Sequence, residues 1–89
     1  MVMWVRQGSG AGRKAGIVVS KRTFSLAVDR NRAKRLMREA FRLFRKELKP
    51  DVEVILVARS GIAKRKLTDV SRDLAFLSGK AGIVHVHNP

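Results

Sequence analysis

The chain contains no cysteine. Disulfides, thiolate metal sites and cysteine nucleophiles are therefore excluded, and a reducing compartment fits. Acidic residues are scarce. Seven Asp and Glu stand against twenty Lys and Arg, a formal charge of +13 over 89 residues. No apolar run approaches the ~20 residues of a membrane-spanning helix. No sustained apolar stretch follows a basic start in the manner of a secretory signal. No internal repeat or low-complexity tract divides the chain. The expectation is one soluble, cytoplasmic domain spanning residues 1–89.

What is present concentrates in residues 27–42, AVDRNRAKRLMREAFR. Ala33, Leu36, Met37, Ala40, Phe41 and Phe44 recur at the spacing of one face of an amphipathic helix. Lys34, Arg35, Arg38, Arg42, Arg45 and Lys46 fall on the opposite face. Between Arg30 and Glu47 only Glu39 and Glu47 interrupt the basic residues. An ordinary solvated face interleaves both signs, so this one points to a polyanion. Nucleic acid is the leading partner. A basic amphipathic helix can also lie on a membrane surface. Here a strand-like run follows that needs a core of its own, and the apolar face is better assigned to that core.

Met1 to Arg6 reads as a first strand, and Gly8 to Gly12 as a flexible loop. Ala15 to Ser20 reads as a second strand hairpinned to the first, ended by Lys21 and Arg22. Residues 23–28 form a connector. Asp29 or Asn31 is the candidate N-cap of the basic helix, which should run to about Leu48 and stop before Pro50. Val52 to Ala58 is nearly all apolar, as in a strand covered on both faces. Arg59 to Lys66 is a basic loop. Leu67, Val70, Leu74 and Leu77 mark a second helix, with Lys66 or Thr68 near its start and Gly79 as its C-cap. Residues 81–89 form a short edge strand or a loose tail. The order β-β-α-β-α suggests a small α/β (α+β) sandwich with helices against a mixed sheet. Phe41, Phe44 and Phe76 are assigned to the core. Trp4 and Phe24 are either core residues or exposed rings that stack on unpaired bases.

Catalytic chemistry finds little support. No Ser/His/Asp set has convincing context. His85 and His87 are the only histidines; they would share a strand face, but without further ligands they read as exposed tail residues rather than a metal pair. Asp69 and Asp73 read as solvated or salt-bridged, with Arg72 close by. Gly8, Gly10 and Gly12 lack the spacing and the Lys-Ser/Thr ending of a P-loop. No catalytic or metal-binding residue is therefore expected on the chain.

The run AVDRNRAKRLMREAFR resembles the signature of the bacterial ribonuclease P protein component. The family's Arg-Asn-Arg motif falls on Arg30, Asn31 and Arg32, and its following basic positions on Lys34, Arg35 and Arg38. Residues 16–22, GIVVSKR, resemble the strand before that helix, and residues 52–59 the strand after it. The resemblance implies a fold like ribosomal protein S5 domain 2, with a left-handed crossover between parallel strands. It implies a subunit that binds ribonuclease P RNA and the 5′ leader of precursor tRNA. Cleavage would depend on Mg²⁺ bound mainly by the RNA, within an endoribonuclease whose catalytic groups are on the RNA.

Arg30, Asn31, Arg32, Lys34, Arg35, Arg38, Arg42 and Arg45 would contact RNA, joined by Lys21, Arg22, Arg13 and Lys14. Asn31 would either cap the helix or hydrogen-bond RNA. Trp4 and Phe24 are the leader-stacking candidates. Family members usually begin with a helix before the first strand, and this chain is expected to lack it. No membrane and no obligate protein partner is implied. The alternatives are a structural RNA-binding module such as a small ribosomal protein, or a DNA-binding domain. A helix-turn-helix reader would follow its helix with another helix rather than a strand.

A domain of this length buries only somewhat above about 60% of its unfolded surface, and its charge repels itself. Anions that bind only the folded form will therefore stabilise it by mass action. In a thermal melt the midpoint is expected to climb as phosphate or sulfate is titrated in; a flat midpoint would contradict this.

Overall fold

The computed structural model describes residues 1–8, 10 and 12–84. Strand β1 spans Val2–Gln7, β2 Lys14–Val18 and β3 Val52–Val57. Helix α1 spans Ala27–Phe44 and α2 spans Leu67–Lys80. Short 3-10 turns cover Arg45–Glu47 and Ile62–Lys64. The element order is the one expected from the sequence, but the strand order is not. β1 and β2 are not a hairpin; they flank β3, which lies in the middle of the three-stranded sheet. β1 pairs with β3 antiparallel, from Val2 opposite Val57 to Gln7 opposite Val52. β2 pairs with β3 parallel, from Lys14 opposite Glu53 to Val18 opposite Val57. The most apolar strand takes the centre, where it loses the most surface to water.

β3 also departs from the two-sided burial its composition suggests. Val52, Val54 and Leu56 are buried, whereas Ile55 is 45% exposed and Glu53 and Val57 are half-buried. This alternation is that of a sheet with one face on the core and one open. The core lies on the first face. There Met37, Ala33, Ala40 and Phe41 of α1 meet Val54 and Leu56 of β3, together with Val70 and Leu74 of α2.

The basic helix starts earlier than either cap candidate. Its N-cap is Leu26, without a side-chain hydrogen bond, so Asp29 and Asn31 both lie inside the helix. Asp29 sits in the first turn, where a carboxylate is favoured by the unpaired amides. The α-helix ends at Phe44 and the 3-10 turn prolongs it to Glu47, close to the expected stop before Pro50.

α2 begins after Lys66, whose N–H donates to the Asp69 carboxylate at 3.2 Å. Gly79 is inside this helix, and the left-handed position falls instead on Gly82 at φ +71. The Gly82 N–H reaches the Gly79 carbonyl and the Ile83 N–H the Ser78 carbonyl, the paired closure of a helix end on glycine. Ile83 is thereby driven into the core, and Val84 bridges antiparallel to Leu48. The tail thus begins as an edge pairing. His85 and His87 lie outside the described residues.

Two open aromatic alternatives are decided and one assignment changes. Phe24, offered as a leader-stacking ring, is 6% exposed and belongs to the core: the connector folds back against the helices. Trp4 is 65% exposed, because its strand position faces away from the helices. Phe76, assigned to the core, is 64% exposed and carries the Lys80 ammonium 5.3 Å from its ring centre. The buried stripe of α2 runs through Val70, Leu74 and Ser78 instead. Asp73 is salt-bridged, as one of its two readings had it, with Arg65 at 3.7 Å as the partner.

These placements separate two phenylalanines that the sequence treats alike. Phe41→Ala is expected to cost about 3–5 kcal/mol in denaturant unfolding. Phe76→Ala is expected to cost less than about 1 kcal/mol.

Candidate nucleic-acid interface

Burial of Ala33, Met37, Ala40 and Phe41 sets the rotation of α1. That rotation leaves Asn31, Arg32, Arg35, Arg38 and Arg42 exposed, with Arg30 and Lys34 half-buried on the flank. Arg45 follows, exposed, on the 3-10 turn. The expected basic face is therefore assembled, but its members differ in what else they do.

Arg30 is a clamp. Its Nη1 donates to the carbonyls of Phe24 at 2.8 Å and Ser25 at 3.1 Å, tying the connector to the helix. The Arg32 Nε donates to the Ala63 carbonyl, joining α1 to the turn before α2. Arg42 embraces Glu39 through Nε, at 3.0 Å, and Nη2. The hydrogen bond from Arg42 holds the Glu39 carboxyl below the usual range and holds the arginine proton more tightly in turn. Arg35, Arg38, Lys34 and Asn31 make no side-chain hydrogen bond or ion pair with the described residues. Their donors are the ones an incoming anion meets without competition.

A second set of cations lies beside the helix. The Arg13 Nε donates to the Leu48 carbonyl at 2.9 Å, and the Arg45 Nε donates to the Arg13 carbonyl at 3.0 Å. An Nε anchor leaves the two Nη groups of Arg45 to face other partners. Arg13, Lys14 and Arg38 line one groove floored by Ala15, Ile17 and Phe41. A second groove, between the helices, is lined by Arg32, Arg35, Leu36, Glu39 and Leu67. Lys21 and Arg22 are exposed at the far end of β2 from Lys14, on a turn closed by Ser20 and Thr23. They do not join the groove.

The open face of the sheet adds a platform that the hairpin expectation hid. Trp4, Ile55 and Gly16 stand in one row across the three strands, and Arg6, Glu53 and Lys14 in the next. A Cβ placed on Gly16 would come within 3.8 Å of Ile55 Cγ1, so the glycine leaves a shallow step beside Ile55, on the side away from the indole. Arg6 Nη2 lies 3.2 Å from Glu53 Oε2, an ion pair without the alignment of a hydrogen bond. Composition held no signal for this row; only the strand register creates it. Among the described residues no three histidine, cysteine, aspartate or glutamate side chains converge as a metal site. No helix there is long and apolar enough to cross a membrane.

Comparison with known proteins places this geometry. The family model described as Ribonuclease P matches residues 1–82. The ribonuclease P protein component of Pseudanabaena sp. is 35% identical over 72 residues, covering 81% of this chain and 62% of that protein. The Dictyoglomus turgidum component is 38% identical over 85 residues, covering 93% and 70%. The chain spans 62% of the Pseudanabaena protein and 38% of the Pseudomonas putida one, less than two thirds of each. Among solved structures, the Staphylococcus aureus RNase P protein aligns with TM-score 0.74 at 23% identity, over 93% of this chain and 75% of its own. The Thermotoga maritima RNase P protein aligns with TM-score 0.70 at 24% identity, over 84% and 73%. The sheet and the two helices thus have their counterparts in one family, and the chain belongs to the ribonuclease P protein family.

Proposed function

We propose that this chain acts as the protein subunit of ribonuclease P, binding the catalytic RNA through α1 and the 5′ leader of precursor tRNA on the open sheet face. The observation that carries the reading is the outer face of α1. In a chain of this family, Arg35, Arg38 and Lys34 are presented without side-chain partners among the described residues, on the helix that bears the Arg30-Asn31-Arg32 motif. Arginine suits the task because its planar fork binds phosphate in bidentate fashion. Arg30, Arg32 and Arg45 hold the scaffold in shape while adding to the field. Arg42 binds a phosphate in competition with Glu39.

The leader reading rests on Trp4. An exposed indole beside Ile55, with the bare Gly16 beyond it, supports stacking of a base, which is worth roughly 1–3 kcal/mol per base. Phe24, buried, has no part in it. In this reading the Mg²⁺ that cleavage requires is bound mainly by the RNA. The protein's contribution is charge: cations held near the RNA phosphates lower the cost of bringing the substrate's phosphates close. The hydrolytic groups belong to the RNA in this reading, and the site of action is the cytoplasm.

Added to a bacterial ribonuclease P RNA at low Mg²⁺, the chain is expected to stimulate precursor-tRNA cleavage. RNA binding without stimulation would favour the structural-module reading. Arg35→Ala and Arg38→Ala are each expected to lower the salt slope of RNA affinity by roughly 0.7–0.9. Unchanged slopes in both would remove α1 from the interface. Trp4→Ala is expected to weaken substrates with a leader and spare mature tRNA; equal losses for both would contradict the stacking role.

A further inference from the structure

Residues 8–13 must carry the chain from one edge of the sheet to the other, because β3 lies between β1 and β2. β1 ends with Gln7 opposite Val52, and β2 begins with Lys14 opposite Glu53, so the loop passes the entry of β3. Asp51 stands at that entry, one residue before the strand. Its Oδ2 accepts the Gly10 N–H at 2.9 Å and its Oδ1 the Gly12 N–H at 3.2 Å. Its carbonyl accepts the Gly8 N–H at 3.1 Å. One residue thus gathers three alternate amides of the loop.

The backbone is adapted to this on both sides. Gly8, Gly10 and Gly12 have φ of +76, +77 and +80, a region only glycine enters freely. Asp51 has φ +60 and is the only non-glycine residue there among the described residues. The loop leads straight into Arg13 and Lys14, which line the groove with Arg38.

We propose that Asp51 is a positioning residue for RNA binding. By clasping the glycine loop it fixes Arg13 and Lys14 beside Arg38, so that three cations meet the RNA as one preformed set. The proposal rests on the RNA-contact reading of those three residues. Its physical basis is preorganisation. A glycine-rich loop without an anchor samples many conformations, and ordering it at the moment of binding subtracts from affinity. The clasp places that cost in folding instead. It also sets a carboxylate beside the loop that leads into the cations, where it offsets part of their mutual repulsion.

The test uses two variants with opposite side effects. Asp51→Gly removes the carboxylate contacts to Gly10 and Gly12 and relieves the left-handed backbone. Asp51→Asn keeps the shape and one acceptor oxygen. Affinity for ribonuclease P RNA is measured against salt for both variants, for Lys14→Ala, and for each combination with Lys14→Ala. Amide hydrogen exchange is followed at Gly10 and Gly12. Asp51→Gly is expected to melt within a few degrees of the parent, to lose exchange protection at both glycines, and to lower the salt slope by about one to two. Lys14→Ala, worth about one unit of slope in the parent, should then cost almost nothing more. Asp51→Asn should fall between.

Parent affinity and slope in Asp51→Gly, or a full Lys14→Ala effect in both backgrounds, overturns the proposal. If Asp51→Gly does not fold, Asp51→Asn decides: partial coupling to Lys14 supports the clasp, and parent behaviour overturns it. Arg38→Ala separates the two levels. If neither Arg38→Ala nor Lys14→Ala alters the parent's slope, the RNA-contact reading fails and the clasp falls with it. If Arg38→Ala matters and Asp51→Gly does not, the clasp alone falls.

Discussion

The seating of one face of α1 against the sheet and α2 is the contact on which everything else depends. Met37, Ala33 and Ala40 are completely or almost completely buried there, and Phe41 nearly so. Small residues at 33 and 40 let the helix approach closely, and Met37 and Phe41 fill what remains. Once those four are inside, helical geometry leaves no choice about Arg35, Arg38 and Arg42. The binding face is a by-product of packing. A change that rotates the helix by one position would damage core and surface together.

This seating has to overcome a charge of +13. The structure disperses part of it by giving several cations internal partners. Arg30 holds the connector, Arg32 holds the turn before α2, Arg13 and Arg45 tie the loop to the end of the helix region, and Arg42 faces Glu39. Hydrogen bonds to charged donors are stronger than neutral ones, so the same side chains that repel one another over distance stabilise the fold at contact. A basic run read only as a ligand surface would miss this. A motif such as Arg30-Asn31-Arg32 contains one clamp, one exposed amide and one cross-link, with different consequences on substitution.

Much of this was legible in the sequence where local periodicity decides. The existence of the basic helix, its stripe at Ala33, Met37, Ala40 and Phe41, and a strand over residues 52–58 all follow from the pattern of near neighbours, although the helix begins earlier, at Ala27, and the strand ends one residue sooner, at Val57. The errors arose where distant segments choose partners. Two strands joined by a short glycine loop suggest a hairpin, but the more apolar β3 competes for both and wins. That one choice turns Trp4 and Ile55 outward, places Gly16 beside them and brings Asp51 under the loop. Phe24 and Phe76 fail for a related reason: a connector residue has no periodicity to betray its burial, and α2 keeps a stripe too narrow to cover Phe76. Asp51 left a faint signal. A glycine at every second position of a loop needs acceptors for its alternate amides, yet nothing local says which residue supplies them.

The absence of cysteine allows the central claim to be tested by position. A single cysteine at Asn31, between the arginines of the outer face, and another at Phe76 on α2 can each carry a tethered hydroxyl-radical source. Bound to ribonuclease P RNA, the chain labelled through Asn31→Cys should cut the RNA at a few discrete sites, while the chain labelled through Phe76→Cys should leave it largely intact. Strong cutting from position 76 with none from position 31 would show that the RNA lies against another face, and the account built on α1 would be wrong.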